Sequence, residues 1–179
     1  GVCFNLIHGF AAEKDPPKRQ FLRFQYPDSR ALLGDNADLL SLRAFCHLVN
    51  DHVIIPAAIF FTVVFVCTSR SPNNIRKEFN GCLQQGVACA TYESYATVVA
   101  IIRTMLPIVV ILENVKELLE DTFLRSDIHS DAQLVLEDLR EAGYWATYWV
   151  DDAIHYGSIT VRVRIWFLAV RLQEGMEVH

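Results

Sequence analysis

Two uninterrupted apolar runs, each ending in polar residues, constrain this chain more than any other feature. Ile59-Phe-Phe-Thr-Val-Val-Phe-Val66 and Ile108-Val-Val-Ile-Leu112 are rich in β-branched and aromatic residues. Runs of this kind read as strands buried on both faces, the type found in parallel sheets. The first delivers Cys67 to a polar stretch, Thr68 to Gly81, and the second delivers Glu113-Asn114-Val115. In open α/β sheets ligands bind beyond the carboxyl ends of the strands, so chemistry is expected at these two ends.

The rest of the pattern alternates helix and strand. One helix is predicted from about Glu93 to Met105, before Pro107, and another over Asp131 to Glu141, stopped by Gly143 in C-cap position. Strands follow over about Trp145 to Val150 and Val161 to Ala169. Upstream, Leu39, Leu40, Leu42, Phe45, Cys46 and Val49 fall at helical spacing, which predicts a helix over Ala37 to Val49 capped by Asp35 or Asn36. Residues 1–179 read as a single α/β domain with a largely parallel sheet, without repeats or a linker.

Composition excludes several classes. With 179 residues, 52% of them hydrophobic, the chain can bury a core without disulfides or metals. The net charge of −5 counts against a self-sufficient nucleic-acid-binding domain, which is usually basic. The longest apolar run, Val53 to Cys67, is interrupted by Pro56 and falls short of the ~20 residues of a membrane helix. No membrane partner is expected, and Gly1 to Phe10 lacks the marks of a secretory signal. Five cysteines without a Cys-x-x-Cys pair read as free thiols in a reducing, intracellular compartment. The six histidines show no ligand spacing, so no metal site is expected. The initial Gly in place of Met suggests a piece of a longer chain.

Three features could carry chemistry, and each has a plainer reading. Cys67, at the start of a polar loop, is either a nucleophile or a small hydrophobe closing a core strand. Glu113, at the end of an apolar run, is either a general acid or a surface charge. Arg162 and Arg164, two apart on a strand, share a face and serve either a site or solvent.

Taken in order, these features resemble the DNA cytosine-5 methyltransferase family. Cys at one strand end, Glu-Asn-Val at the next and Gly-x-x-x-x-Arg-x-Arg follow at spacings of 46 and 49 residues. Cys67-Thr-Ser-Arg-Ser71 is similar to the family's Pro-Cys-Gln-x-Phe-Ser loop, and Val110 to Val115 to its Glu-Asn-Val motif. Leu136 to Tyr144, Ala153 to Gly157 and Arg164 to Val170 resemble the flanking segments. Tyr26-Pro27 and Leu33-Gly-Asp35 resemble the segment whose acid contacts the cofactor adenine. The likeness spans about residues 25–171.

The resemblance implies a Rossmann-like S-adenosylmethionine-dependent methyltransferase fold, incomplete at both ends. It implies DNA as partner, with a cytosine flipped from the duplex. Cys67 would attack C6, Glu113 would hydrogen-bond N3, Arg164 would hold the O2 edge, and Arg162 would orient the nucleophile or Glu113. C5 would then take the methyl group of S-adenosylmethionine. Asp35 and Asn36 would hold that cofactor, and Ser71, Asn73, Arg76, Lys77 and Asn114 would contact the nucleic acid. The compartment implied is the nucleus in a eukaryote and the cytoplasm in a bacterium.

The chain also departs from the family pattern. Val66 stands where the family has proline, Thr68 and Arg70 replace glutamine and phenylalanine, and Ile159-Thr160 replace Pro-Gln. No Phe-x-Gly-x-Gly cofactor loop precedes Asp35, and eight residues follow Arg171. The expectation is therefore a fragment inactive alone. The alternatives are a degenerate, non-catalytic binding module or a tRNA cytosine-5 methyltransferase of the same family.

Overall fold

The computed structural model describes residues 7–67, 83, 90–120 and 130–173. These fall in two compact units, Gly1–Ala58 and Ile59–His179.

In the first unit, β1 (Phe10–Ala12) leads through α1 (Pro16–Gln25) to β2 (Ala31–Leu33), which lies parallel to β1. Pro16 and Pro17 open α1, where a missing N–H costs nothing and the ring pre-sets the backbone. A 3₁₀ turn, Asn36–Leu40, follows, then β3 (Arg43–Cys46) and β4 (Asp51–Ile54) as an antiparallel hairpin. The sheet order is β1-β2-β3-β4. Its core is small: Ala31, Leu32, Leu33, Leu39, Ala44 and Cys46.

The helix expected over Ala37 to Val49 is not there. A helical face would have buried Leu42 and Val49, yet these are 79% and 60% exposed. The period that won is two: Ala44 and Cys46 point inward while Arg43 and Phe45 do not. Asn50, with φ of 56°, supplies the left-handed turn that closes the hairpin.

The second unit holds β5 (Phe60–Val64), α2 (Ala90–Met105), β6 (Val109–Val115), α3 (Asp131–Glu141), β7 (Tyr144–Asp152) and β8 (Val163–Arg171). Its sheet order is β5-β6-β8-β7. β5 and β6 run parallel, whereas β8 is antiparallel to both β6 and β7. The sheet is mixed, not largely parallel, because β7 returns directly into β8 and only β5–β6 has a helical crossover. Nor is β5 buried on both faces: it is an edge strand among the described residues, with Phe61 inward and Phe60 and Val64 more than half exposed.

Alternation sorts the strands into two faces. Val110, Leu112 and Asn114 of β6 are buried, as are their register partners Ala169, Phe167 and Ile165 of β8. Tyr95, Val98, Ile101 and Ile102 line one stripe of α2, and Val135, Leu136 and Leu139 one stripe of α3. Ser130 caps α3 by accepting the Gln133 N–H at 3.2 Å. Gly143, at φ of 88°, ends it, as the sequence predicts. The Tyr144 hydroxyl, buried, donates to the Pro107 carbonyl at 2.7 Å and ties the start of β7 to the approach to β6. Among the described residues no helix is long and apolar enough to cross a membrane.

Candidate active site

The opposite face of this sheet gathers charged and polar side chains around a cavity. Register places Val64 of β5 beside Glu113 of β6, Glu113 beside Trp166 of β8, and Trp166 beside Trp149 of β7. Arg164 lies one step along, with Asp151 as its β7 partner. Because cross-strand partners share a face, Thr62, Val64, Ile111, Glu113, Arg164 and Trp166 all border one cavity of about 630 Å³. Asp151, Asp152, Tyr156 and Arg162 complete its polar rim.

Glu113 is the centre of the charge arrangement. Its Oε1 lies 2.9 Å from Arg164 Nε and 3.8 Å from an Arg162 terminal nitrogen. The two cations differ: the Arg164 side chain is 28% exposed and that of Arg162 is 61%. Arg164 also donates from Nη1 to the Val163 carbonyl at 2.8 Å, so its fork is held at two points. Arg162 precedes β8, and its placement comes from the backbone, where its N–H donates to Asp152 Oδ1 at 2.8 Å. A half-buried carboxylate between two guanidiniums is a strong, directional anchor that can turn toward a polar ligand edge.

Cys67 is partly exposed and lies three residues beyond Val64, the register partner of Glu113. Phe65 and Val66 separate it from the end of β5, and it does not line the cavity itself. Asn114 explains how that end is held. Its side chain is 1% exposed, its Nδ2 donates to the Phe65 carbonyl at 3.1 Å, and its Oδ1 accepts the Val115 N–H at 2.8 Å. The expected contact of Asn114 with nucleic acid does not fit this placement. An interior amide with donor and acceptor both engaged positions the segment that leads to Cys67.

The remaining expected residues divide. Ser71, Asn73, Arg76 and Lys77 lie outside the described residues. Asp35 stands in the first unit after β2, where its Oδ1 accepts the Ala37 N–H at 2.9 Å and caps the 3₁₀ turn that begins at Asn36. A Cβ built on Gly9 would meet only Pro56 Cβ at 4.0 Å, an ordinary contact, so Gly9 is no close-approach cradle.

Sequence reasoning passed over Asp151, Asp152 and Tyr156. Asp151 accepts the Tyr156 hydroxyl at 2.5 Å and lies 2.9 Å from His155 Nδ1. The Tyr156 hydrogen bond, then that of His155, lowers the Asp151 pKa below its usual 3.8, and the same bond raises that of Tyr156. The available signal was the acidic doublet closing the β7 run, four and five residues before His155 and Tyr156.

An open α/β sheet with its polar cluster at a carboxyl strand end defines the class as a Rossmann-like methyltransferase fold, and solved structures agree. The chain is similar to the S. pombe Dnmt2 methyltransferase (13% identity, TM-score 0.56), covering 97% of this chain and 44% of that one. It is similar to an E. coli prophage protein described as a DNA modification methyltransferase (15%, TM-score 0.59), covering 91% and 40%. A substituted DNMT2 of Spodoptera frugiperda gives 13% and 0.58, covering 96% and 44%. The chain thus spans less than half the length of each. No curated protein sequence matches it. The model of the C-5 cytosine-specific DNA methylase family matches residues 82–179, more than half of the chain. The chain belongs to that family.

Proposed function

We propose that this chain carries the catalytic face of a cytosine-5 methyltransferase that works through a covalent cysteine adduct. The observation that carries the reading is Glu113 held by Arg164 at 2.9 Å and Arg162 at 3.8 Å, at the carboxyl end of the strand beside the one that leads to Cys67. Cytosine is a poor electrophile at C6 and a poor nucleophile at C5. Attack by the Cys67 thiolate forms the Sγ–C6 bond and drives an electron pair into the ring. A hydrogen bond donated to N3 by Glu113 in its protonated form, and one from Arg164 to O2, stabilise the charge that develops there. C5 becomes enamine-like and nucleophilic. S-adenosylmethionine, when bound, supplies the methyl group. Loss of the C5 proton then returns the electron pair that expels Cys67 and restores the ring.

Of the two substrates, duplex DNA and tRNA, likeness to two Dnmt2 enzymes leans toward tRNA. The test is adduct formation by the protein in its full native length, with tRNA and with duplex DNA, each carrying 5-fluorocytosine. A denaturation-resistant adduct is expected, chiefly with tRNA, and Cys67→Ala should abolish it. An adduct with DNA alone would reverse the substrate. With no adduct on either, the reading falls and a non-catalytic binding module takes its place, consistent with Val66, Thr68, Ile159 and Thr160 at motif positions.

A further inference from the structure

The loop between β7 and β8 is closed by its own hydrogen bonds. Asp152 Oδ1 accepts the N–H groups of Ile154 at 3.2 Å and Arg162 at 2.8 Å, bridging the two ends of the loop. Ala153 N–H donates to the Arg162 carbonyl at 3.3 Å, and Ser158 N–H to the Ala153 carbonyl at 3.2 Å. Gly157, at φ of 86°, turns the chain where a side chain would be strained. On this braced loop Tyr156 is 78% exposed, although its hydroxyl is tied to Asp151. The ring is thus fixed at its polar tip while most of its surface faces solvent, at the cavity rim and on the loop that leads into Arg162.

We infer that Tyr156 is a stacking platform for a nucleobase adjacent to the reacting cytosine. The inference rests on the function proposed above. A base flipped from its strand leaves its neighbour with an uncovered face, and an aromatic ring replaces the lost stack. A ring already held by its hydroxyl loses little freedom on binding. The ligand on the ring itself is a base and not a phosphate, because Asp151, bonded to the Tyr156 hydroxyl, would repel an anion placed against it. Arg162, 61% exposed in its side chain, is the cation nearest in sequence for the connecting phosphodiester.

The test uses the protein in its full native length and a fluorescein-labelled single-stranded RNA with one 5-fluorocytosine, in two versions. In one the neighbouring nucleotide is intact, and in the other it is abasic. Fluorescence anisotropy without S-adenosylmethionine reads Kd. Tyr156→Ala should weaken binding of the intact strand roughly tenfold, and Tyr156→Phe, which keeps the ring, by no more than about threefold. On the abasic strand the parent should already be weakened, and Tyr156→Ala should add nothing. An unchanged Kd for Tyr156→Ala, or an equal loss on both strands, overturns the inference. An unchanged Kd with a lowered Tm would instead assign the ring to packing within the protein. A parent that binds neither strand overturns this inference, while the reading beneath it stands or falls separately by the adduct test with tRNA and DNA; a parent that binds normally while Tyr156→Ala is silent overturns this inference alone.

Discussion

The two units differ in how far their strands agree on register. In the first, strands run three or four residues, and β2 and β3 share the single pair Leu33–Cys46. In the second, β6 and β8 pair over seven residues and β7 and β8 over nine. A long ladder carries alignment from the core to the strand ends, so Glu113, Arg164 and Trp166 arrive on one face as a consequence of pairing. Short strands carry no such alignment. Asp35 is aimed by a local cap, through one hydrogen bond to its own turn. The proposed chemistry, which needs three side chains in concert, therefore falls in the second unit, where the family match also lies.

The comparison is broken most severely at Glu113. In the protein of full native length, Glu113→Gln should lower methyl transfer by about 10²–10³-fold, since it removes the group that meets developing charge and unpairs two cations. Arg164→Ala should cost more than Arg162→Ala, because the first is shorter and less exposed. Equal losses in kcat/KM would mean that the register of β8 does not grade the two.

Next comes the interior amide. Asn114→Ala removes both bonds that hold the Phe65 carbonyl and the Val115 N–H, groups left without partners in a buried place. The expected cost is about 2 kcal/mol, or roughly 4–8 °C in Tm, read by thermal unfolding. The rate of Cys67 alkylation should change as well, since the strand end that presents it loosens. Unchanged alkylation with lowered Tm would make Asn114 a packing residue only.

The caps give a gentler contrast. Ser130→Ala should destabilise the second unit by about 1 kcal/mol, and Asp35→Ala, at an exposed 3₁₀ turn, should cost less. If Asp35→Ala proves the costlier, the first unit is better ordered by its turn than its strands suggest.

The smallest effect concerns Asp151. Its folded pKa lies below 3.8, so its contribution is complete above that value and is lost as pH falls through the lower, folded one. In an NMR titration the acid-side change of the Tyr156 ring should have its midpoint below pH 3.8. A midpoint at or above 3.8 would mean that the Asp151 anchor is not formed in solution.

Much of the second unit was legible because its signals are local. α3 begins and ends where Ser130 and Gly143 put it, β6 follows from its apolar run, and β8 from the alternation of Arg164 and Trp166 with Val163, Ile165 and Phe167. The first unit was harder. Leu39 to Val49 carries a helical and an alternating pattern at once, and nothing within the segment chooses between them. The signal at α1, Asp15 followed by Pro16-Pro17, was present and passed over. At the site, Glu113, Arg162 and Arg164 each kept a plainer reading when taken alone, and only their order along the chain, which resembles the family's, singled them out. Asn114 was read as a ligand contact because a sequence does not tell which side of a strand faces the core.

By itself the sequence determined which segments are strands and helices in residues 90–173, which charged groups end them, and the family they compose. These follow from propensity, period and spacing, which act within a few residues of chain. Only the tertiary structure decided that β8 lies between β6 and β7, that Asp151 stands beside Arg164, and that Asn114 turns inward to hold Phe65. Those outcomes depend on hydrogen-bond register between strands up to about sixty residues apart in sequence. A one-residue slip would send every side chain to the other face.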